Sequence, residues 1–132
     1  MNREALYYEQ SNPLRKSGMA QSCIFCRIIA GELPGEFVYR DEQAVAFKDI
    51  NPVAPSHTLV VPREHIESLA SLESEHAPLA GHLLWVCSEV ARIGGLAERG
   101  YRVAANVGQD AGNMVPHLHF HVLGGRSLQG MG

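Results

Sequence analysis

An α+β domain on an antiparallel sheet is the fold class this sequence predicts. Strand-like segments mostly precede the long helical segment, and a hairpin-like pair follows it, an order that suits an antiparallel sheet packed against helices. The 132 residues are the length of one domain, and 45% hydrophobic with 19% charged residues is enough apolar material for a core. Eleven basic against 14 acidic side chains leave a charge of −3, with no polybasic run, which argues against a duplex nucleic acid partner. No stretch approaches the ~18 consecutive apolar residues of a membrane span, and the opening lacks the charged start, apolar run and small-residue site of a secretory signal. Three cysteines, an odd number, make no disulfide framework and suit thiols kept reduced in a cytoplasm.

In chain order, residues 1–22 mix polar and charged side chains without a helical or strand period, and form an expected flexible tail ahead of a domain over 23–132. Met19 is an alternative start, and Tyr7 and Tyr8 are candidates to dock on a partner subunit. Cys23 to Ala30 suits a short helix ended by Gly31, with a turn at Pro34-Gly35. Phe37 to Arg40 and Ala44 to Asp49 are strand-like and joined by Asp41-Glu42-Gln43, which predicts a hairpin. Pro52 and Pro55 make the following segment a loop, because proline cannot donate to a ladder. His57 to Val61 is a β-branched strand stopped by Pro62. A helix over about Glu75 to Ile93 gathers Leu79, Leu83, Val86, Cys87 and Val90 on one face, and Gly94-Gly95 closes it. Tyr101 to Asn106 is a fourth strand, Gly108 to Asn113 a loop, and Val115 to Leu123 a fifth strand ending at Gly124-Gly125.

That last strand carries the chemistry. His117, His119 and His121 alternate with Leu118, Phe120 and Val122, so on a strand the imidazoles share one face and the apolar residues enter a core. Three ring nitrogens on one face can bind a metal, pass protons or attack an electrophile; the interleaved core residues exclude an affinity tag. The loop before them, Asn106 to Asn113, contains glycines that let backbone N–H groups converge on an anion, although such loops alone are usually turns. Cys23-x-x-Cys26 has the spacing of two ligands to one tetrahedral ion; two packed thiols are the alternative, and redox chemistry is disfavoured without a βαβ pattern. His76 and His82 are expected to be solvated, Cys87 to be an apolar thiol and Trp85 to be packing.

His-Leu-His-Phe-His-Val-Leu at 117–123 resembles the signature of the histidine triad (HIT) superfamily. The ending Gly124-Gly125-Arg126, the stretch Ala46 to Pro52, His57 to Pro62, His65-Ile66 and Gly100 to Val103 are similar to its histidine triad nucleotide-binding branch. The resemblance covers about residues 23–126. It implies a five-stranded antiparallel sheet with two main helices, pairing into a homodimer. The implied activity is hydrolysis of purine nucleoside phosphoramidates, the substrates being AMP or GMP derivatives. By position His119 is the expected nucleophile, His121 faces the phosphate oxygens, and His117 and His57 orient the network.

The same resemblance places Asn106, Gly112, Asn113 and Met114 beside ribose or phosphate, gives Asp49 the ribose hydroxyls, and lets Phe47 and Ile50 wall the base. Asp49 reads equally well as a strand-end turn former, and Phe47 or Ile50 as core. Relatives with the cysteine pair imply completion by His65 and His117, a closed Cys₂His₂ zinc site of structural kind. Met114 departs from the pattern, since that branch usually has serine there and a thioether cannot donate a hydrogen bond. A slower phosphoramidase is the expected result. The sequence also reaches Gly132 without the Trp-Pro-Pro-Gly ending that touches the partner subunit in that branch. A dinucleoside polyphosphate hydrolase is the nearest alternative, disfavoured by Gly-Gly-Arg126; a non-catalytic nucleotide- or zinc-binding scaffold is another.

Overall fold

The computed structural model describes residues 23–113 and 115–132. The expected tail over 1–22 and the side chain at Met114 lie outside the described residues. Helix α1 (Ile24–Ile29) precedes a hairpin of β1 (Phe37–Arg40) and β2 (Ala44–Lys48), then β3 (Ser56–Pro62), the long helix α2 (Ala77–Ile93), β4 (Tyr101–Ala104) and β5 (Phe120–Gly124). The strands form one five-stranded sheet in the order β1-β2-β3-β5-β4, with every neighbouring pair antiparallel.

Both faces of the sheet are covered, which explains why β2 and β3 are nearly continuous apolar runs. Ala44, Ala46, Val60, Phe120 and Val122 pack with Leu83, Val86, Cys87 and Val90 of α2. Val45, Phe47, Leu59, Val61 and Val115 pack with Ile24, Phe25 and Ile28 of α1. Antiparallel register sets Leu59 opposite His121 and His57 opposite Leu123, so His57, Leu59 and Val61 share a face with His121.

The fifth strand is shorter than its pattern suggests. It begins at Phe120 rather than Val115, so of the three histidines only His121 is in the ladder. Pro116 has no N–H, and the backbone here bonds elsewhere: Leu118 N–H donates to Ile66 carbonyl at 2.6 Å and Val115 N–H to the Asn113 side chain at 3.3 Å. The alternation survives, since Leu118 joins the α2 core while Val115 joins the α1 core. Helix α2 starts at Ala77 instead of Glu75, after a 3₁₀ turn over Ser74–His76 and with proline in its first turn, where a missing N–H costs nothing. Strand β3 extends through Pro62, and β4 stops at Ala104. Among the described residues no helix is long and apolar enough to cross a membrane.

Candidate active site and metal centre

Helix α1 sets one wall. Cys23 caps it, its Sγ accepting the Cys26 N–H at 3.4 Å. Phe25 lies edge-on to Phe47, His117 and His119 at centroid distances of 5.5, 5.9 and 5.1 Å. Nothing in the sequence marked Phe25, whose only signal is its place between the cysteines.

His117, fully buried, turns its ring toward the thiols. Its Nδ1 lies 3.2 Å from Cys23 Sγ, 3.5 Å from Cys26 Sγ and 3.2 Å from His65 Nδ1, while Cys26 Sγ is 3.3 Å from His65 Nδ1. These separations are close to the edges of about 3.3–3.8 Å that a shared tetrahedral zinc imposes on nitrogen and sulfur ligands. The four donor atoms all lie within 4.8 Å of one another. The distal nitrogen is fixed as well, since His117 Nε2–H donates to the Pro62 carbonyl at 2.9 Å, the outer-shell contact a metal-bound imidazole needs. The Cys26 thiol and the His117 ring hold the Cys23 thiol at about 4 despite its burial. The donor set fits a structural zinc with no open position.

His119 points elsewhere. Its Nδ1 is 2.7 Å from the His117 carbonyl, which can only accept, so Nδ1 carries the proton and Nε2 is left bare. Burial outweighs that hydrogen bond and holds its basicity below the ordinary value, keeping the ring neutral near pH 7.

A second chain of contacts fixes its neighbour. The Val53 N–H donates to His57 Nδ1 at 3.1 Å, which commits the His57 proton to Nε2. That N–H donates in turn to His121 Nδ1 at 2.8 Å, so His121 carries its own proton on Nε2. His121 Nε2 is buried with no partner. Burial, then the neighbouring His119 and His57 rings, push His121 down to about 3, and burial likewise lowers His57. Asp49 Oδ2 stands 3.3 Å from His57 Nε2. Asp49, His57 and His121 are close enough to grip a cation. A cation would need the His57 Nε2 lone pair, however, and the Val53 amide has placed a proton there.

The His119 and His121 rings, 5.0 Å apart, open on a cleft of about 430 Å³ that Asp49, His57, Asn106, Gly112 and Asn113 also line. Gly112 is left-handed at φ +76°, a conformation that suits glycine, and closes the 3₁₀ turn over Gln109–Ala111. Beside the cleft an apolar recess is lined by Ile24, Phe25, Phe47, Ile50 and Leu59, and Asp49 borders both. Asp49 also serves as the turn former: its Oδ1 accepts the Asn51 N–H at 2.8 Å. The structure therefore divides the expected residues in two. His57, His119, His121 and the loop residues meet at the cleft, while the His117 ring belongs to the cysteine cluster and contributes only its carbonyl.

Two peripheral expectations need correction. His82 is bonded to Asp41 Oδ2 at 2.6 Å rather than simply solvated. His76 Nδ1 accepts the Glu73 N–H at 2.9 Å and helps start α2. Trp85 is 52% exposed and packs at the surface, stacked on His82 and edge-on to Tyr39.

The HIT domain family matches residues 30–128. The chain belongs to the HIT family. Curated HIT relatives include Protein HitA of Neisseria gonorrhoeae, 45% identical over 78% of this chain and 95% of its own. The purine nucleoside phosphoramidase of Escherichia coli K12 is 40% identical over 83% of this chain and 92% of its own. A HIT family hydrolase from Clostridium thermocellum superposes with a TM-score of 0.80 at 42% identity, covering 83% of this chain and 95% of that one. A histidine triad protein from Clostridium difficile gives a TM-score of 0.81 at 40% identity, covering 89% and 100%. The five-stranded sheet and its two helices are thus the HIT fold, and the chain is similar to HIT hydrolases in sequence and architecture.

Proposed function

We propose that this HIT protein is a nucleotidyl hydrolase of the nucleotide-binding branch, cleaving the P–N bond of purine nucleoside 5′-phosphoramidates through a nucleotidyl-His119 intermediate. The observation that carries this reading is the bare Nε2 of His119, fixed by the 2.7 Å bond from Nδ1 to the His117 carbonyl. A neutral, oriented imidazole is a competent nucleophile. His119 Nε2 attacks the α-phosphorus; an N–P bond forms, the P–N bond to the amine breaks, and the amine takes a proton from water in the cleft as it departs. Water then cleaves the histidine–phosphorus bond and releases the nucleoside monophosphate. His121 Nε2–H, unpartnered in the cleft, donates to the phosphoryl oxygens, where a hydrogen bond in a water-poor site counts most. Asn106, Gly112 and Asn113 flank ribose and phosphate, Asp49 takes ribose hydroxyls, and Phe47 and Ile50 face the base from the apolar recess.

Zinc held by Cys23, Cys26, His65 and His117 would supply a structural cross-link between α1 and the sheet. The proposed homodimer has support in β4, a sheet edge with Tyr101 and Val103 exposed. Action on a small nucleotide in the cytoplasm fits a chain whose three cysteines form no disulfide.

Brief exposure to an AMP amide followed by mass spectrometry tests the reading. Adenylylated His119 in the wild type, and none in His119→Ala, is the expected result. An intact substrate and an unmodified wild type would overturn it.

A further inference from the structure

The Gly124-Gly125-Arg126 ending of β5 takes no part in the chemistry above, yet it lies against the loop that feeds it. Gly125 has φ +94°, and a Cβ there would come within 2.9 Å of Pro55 Cβ, so the turn rests directly on the loop before β3. From this turn Arg126 reaches across, Nη2 donating to the Val53 carbonyl at 3.0 Å and Nη1 to the Ser127 carbonyl at 2.9 Å. Val53 is also the residue whose N–H sits on His57 Nδ1. Its side chain is 63% exposed, so burial does not anchor it and its backbone hydrogen bonds must.

We propose that Arg126 is a positioning residue which, by clasping the Val53 carbonyl, keeps the Val53 amide on His57 and thereby aims the His121 Nε2–H into the cleft. The protons along the chain are interlocked. With the Val53 amide in place, His57 holds its proton on Nε2 and His121 must accept at Nδ1. If the amide swings away, only Asp49 Oδ2, 3.3 Å from His57 Nε2, still favours the proton there, and the form with the proton on Nδ1 and Nε2 as acceptor becomes populated beside it. His121 then moves its proton to Nδ1 to meet it. The nitrogen facing the cleft becomes a lone pair, which repels phosphoryl oxygens instead of binding them. Arg126 never meets the substrate; it selects which face of His121 the substrate meets. The kinetic consequence rests on the proposed phosphoramidase reading, but the proton arrangement stands apart from it.

Imidazole nitrogen NMR of the substrate-free full chain reads that arrangement directly. The wild type is expected to show His57 and His121 each protonated on Nε2, and Arg126→Ala a mixture of both ring forms. In turnover of an AMP amide, Arg126→Ala should lower kcat/KM by about threefold to tenfold, the scale of one hydrogen bond. Arg126→Lys, which keeps a donor for Val53, should restore most of it. In a His57→Asn background Arg126→Ala should cost nothing further, because the relay it serves is gone. Unchanged ring forms in Arg126→Ala, or a loss that persists in the His57→Asn background, would overturn the assignment. A wild type that shows the expected ring forms but no turnover would remove the phosphoramidase reading and leave the clasp standing. Arg126 is exposed, so its variants are expected to fold.

Discussion

At the scale of single residues, the proposed reaction turns on the position before Val115. In that reaction the departing amine needs a proton, and a thioether at Met114 offers none. His121 cannot readily supply it near neutral pH, because its ring is pushed down to about 3 and donates a hydrogen bond without releasing a proton. Met114→Ser is expected to raise kcat on an AMP amide, by up to about 10²-fold, the lower end of what positioned proton transfer contributes. An unchanged kcat would show that water or Asn113 already does the job. Val53 shows what a sequence conceals at this scale. Its contribution is a backbone N–H, which any residue type except proline could supply, so no side-chain pattern can mark it. Phe25 was invisible for the opposite reason, since an apolar residue on a short helix reads as core and is core, while also bracing His119.

Among the elements, α1 depends most on chemistry outside itself. A helix of six residues has little stability alone, and here its start is tied to the cysteine cluster while Ile24, Phe25 and Ile28 are buried against the sheet. Purified protein should carry about one zinc per chain by elemental analysis, since a closed site takes one ion. Chelation should lower Tm and expose α1 amides to hydrogen exchange before those of β3. Cys26→Ser should lose the zinc, and full zinc in that variant would count against the ligand set. Phe25→Ala, with its cavity under the His119 ring, should cost about 3–5 kcal/mol in denaturant unfolding. The elements themselves were largely legible. The β-branched apolar run stopped by Pro62 marked β3, the 3.6-residue period marked α2, and the polar turn Asp41-Glu42-Gln43 marked the first hairpin. The start of β5 was not, because alternation tells which way side chains face and not which backbone groups are paired. From Val115 to His119 the facing pattern holds while the N–H groups find partners outside the sheet.

For the molecule as a whole, acid is the condition that should undo the fold, in two stages. His57, His119 and His121 are all lowered by burial, so below the ordinary histidine value of about 6.5 the unfolded chain binds protons that the folded chain refuses. Stability should fall as pH drops through 6, and His121 extends the decline toward about 3. Asp41 adds the second stage. Its burial is outweighed by hydrogen bonds from Tyr39, the Gln43 and Ala44 amides and His82, which hold it at about 2. The stability it contributes is complete above its ordinary value of 3.8 and lost as pH falls toward 2. Urea midpoints measured across pH should be highest near 7–8 and drop in both windows. Replacing His121 with Asn should flatten the upper one, and an unaltered upper slope would mean that His121 is charged in the fold.

His117 looks inward twice, lending a nitrogen to the thiols and a carbonyl to its neighbour. Only the first depends on which amino acid stands there, since the main chain offers the same oxygen whatever side chain it bears. The proposed mineral anchor and the proposed attacking ring are therefore separable by mutation. On that reading a descendant can trade both sulfurs and both imidazoles of the cluster for well-packed hydrocarbon and still hold the His119 ring by the same oxygen.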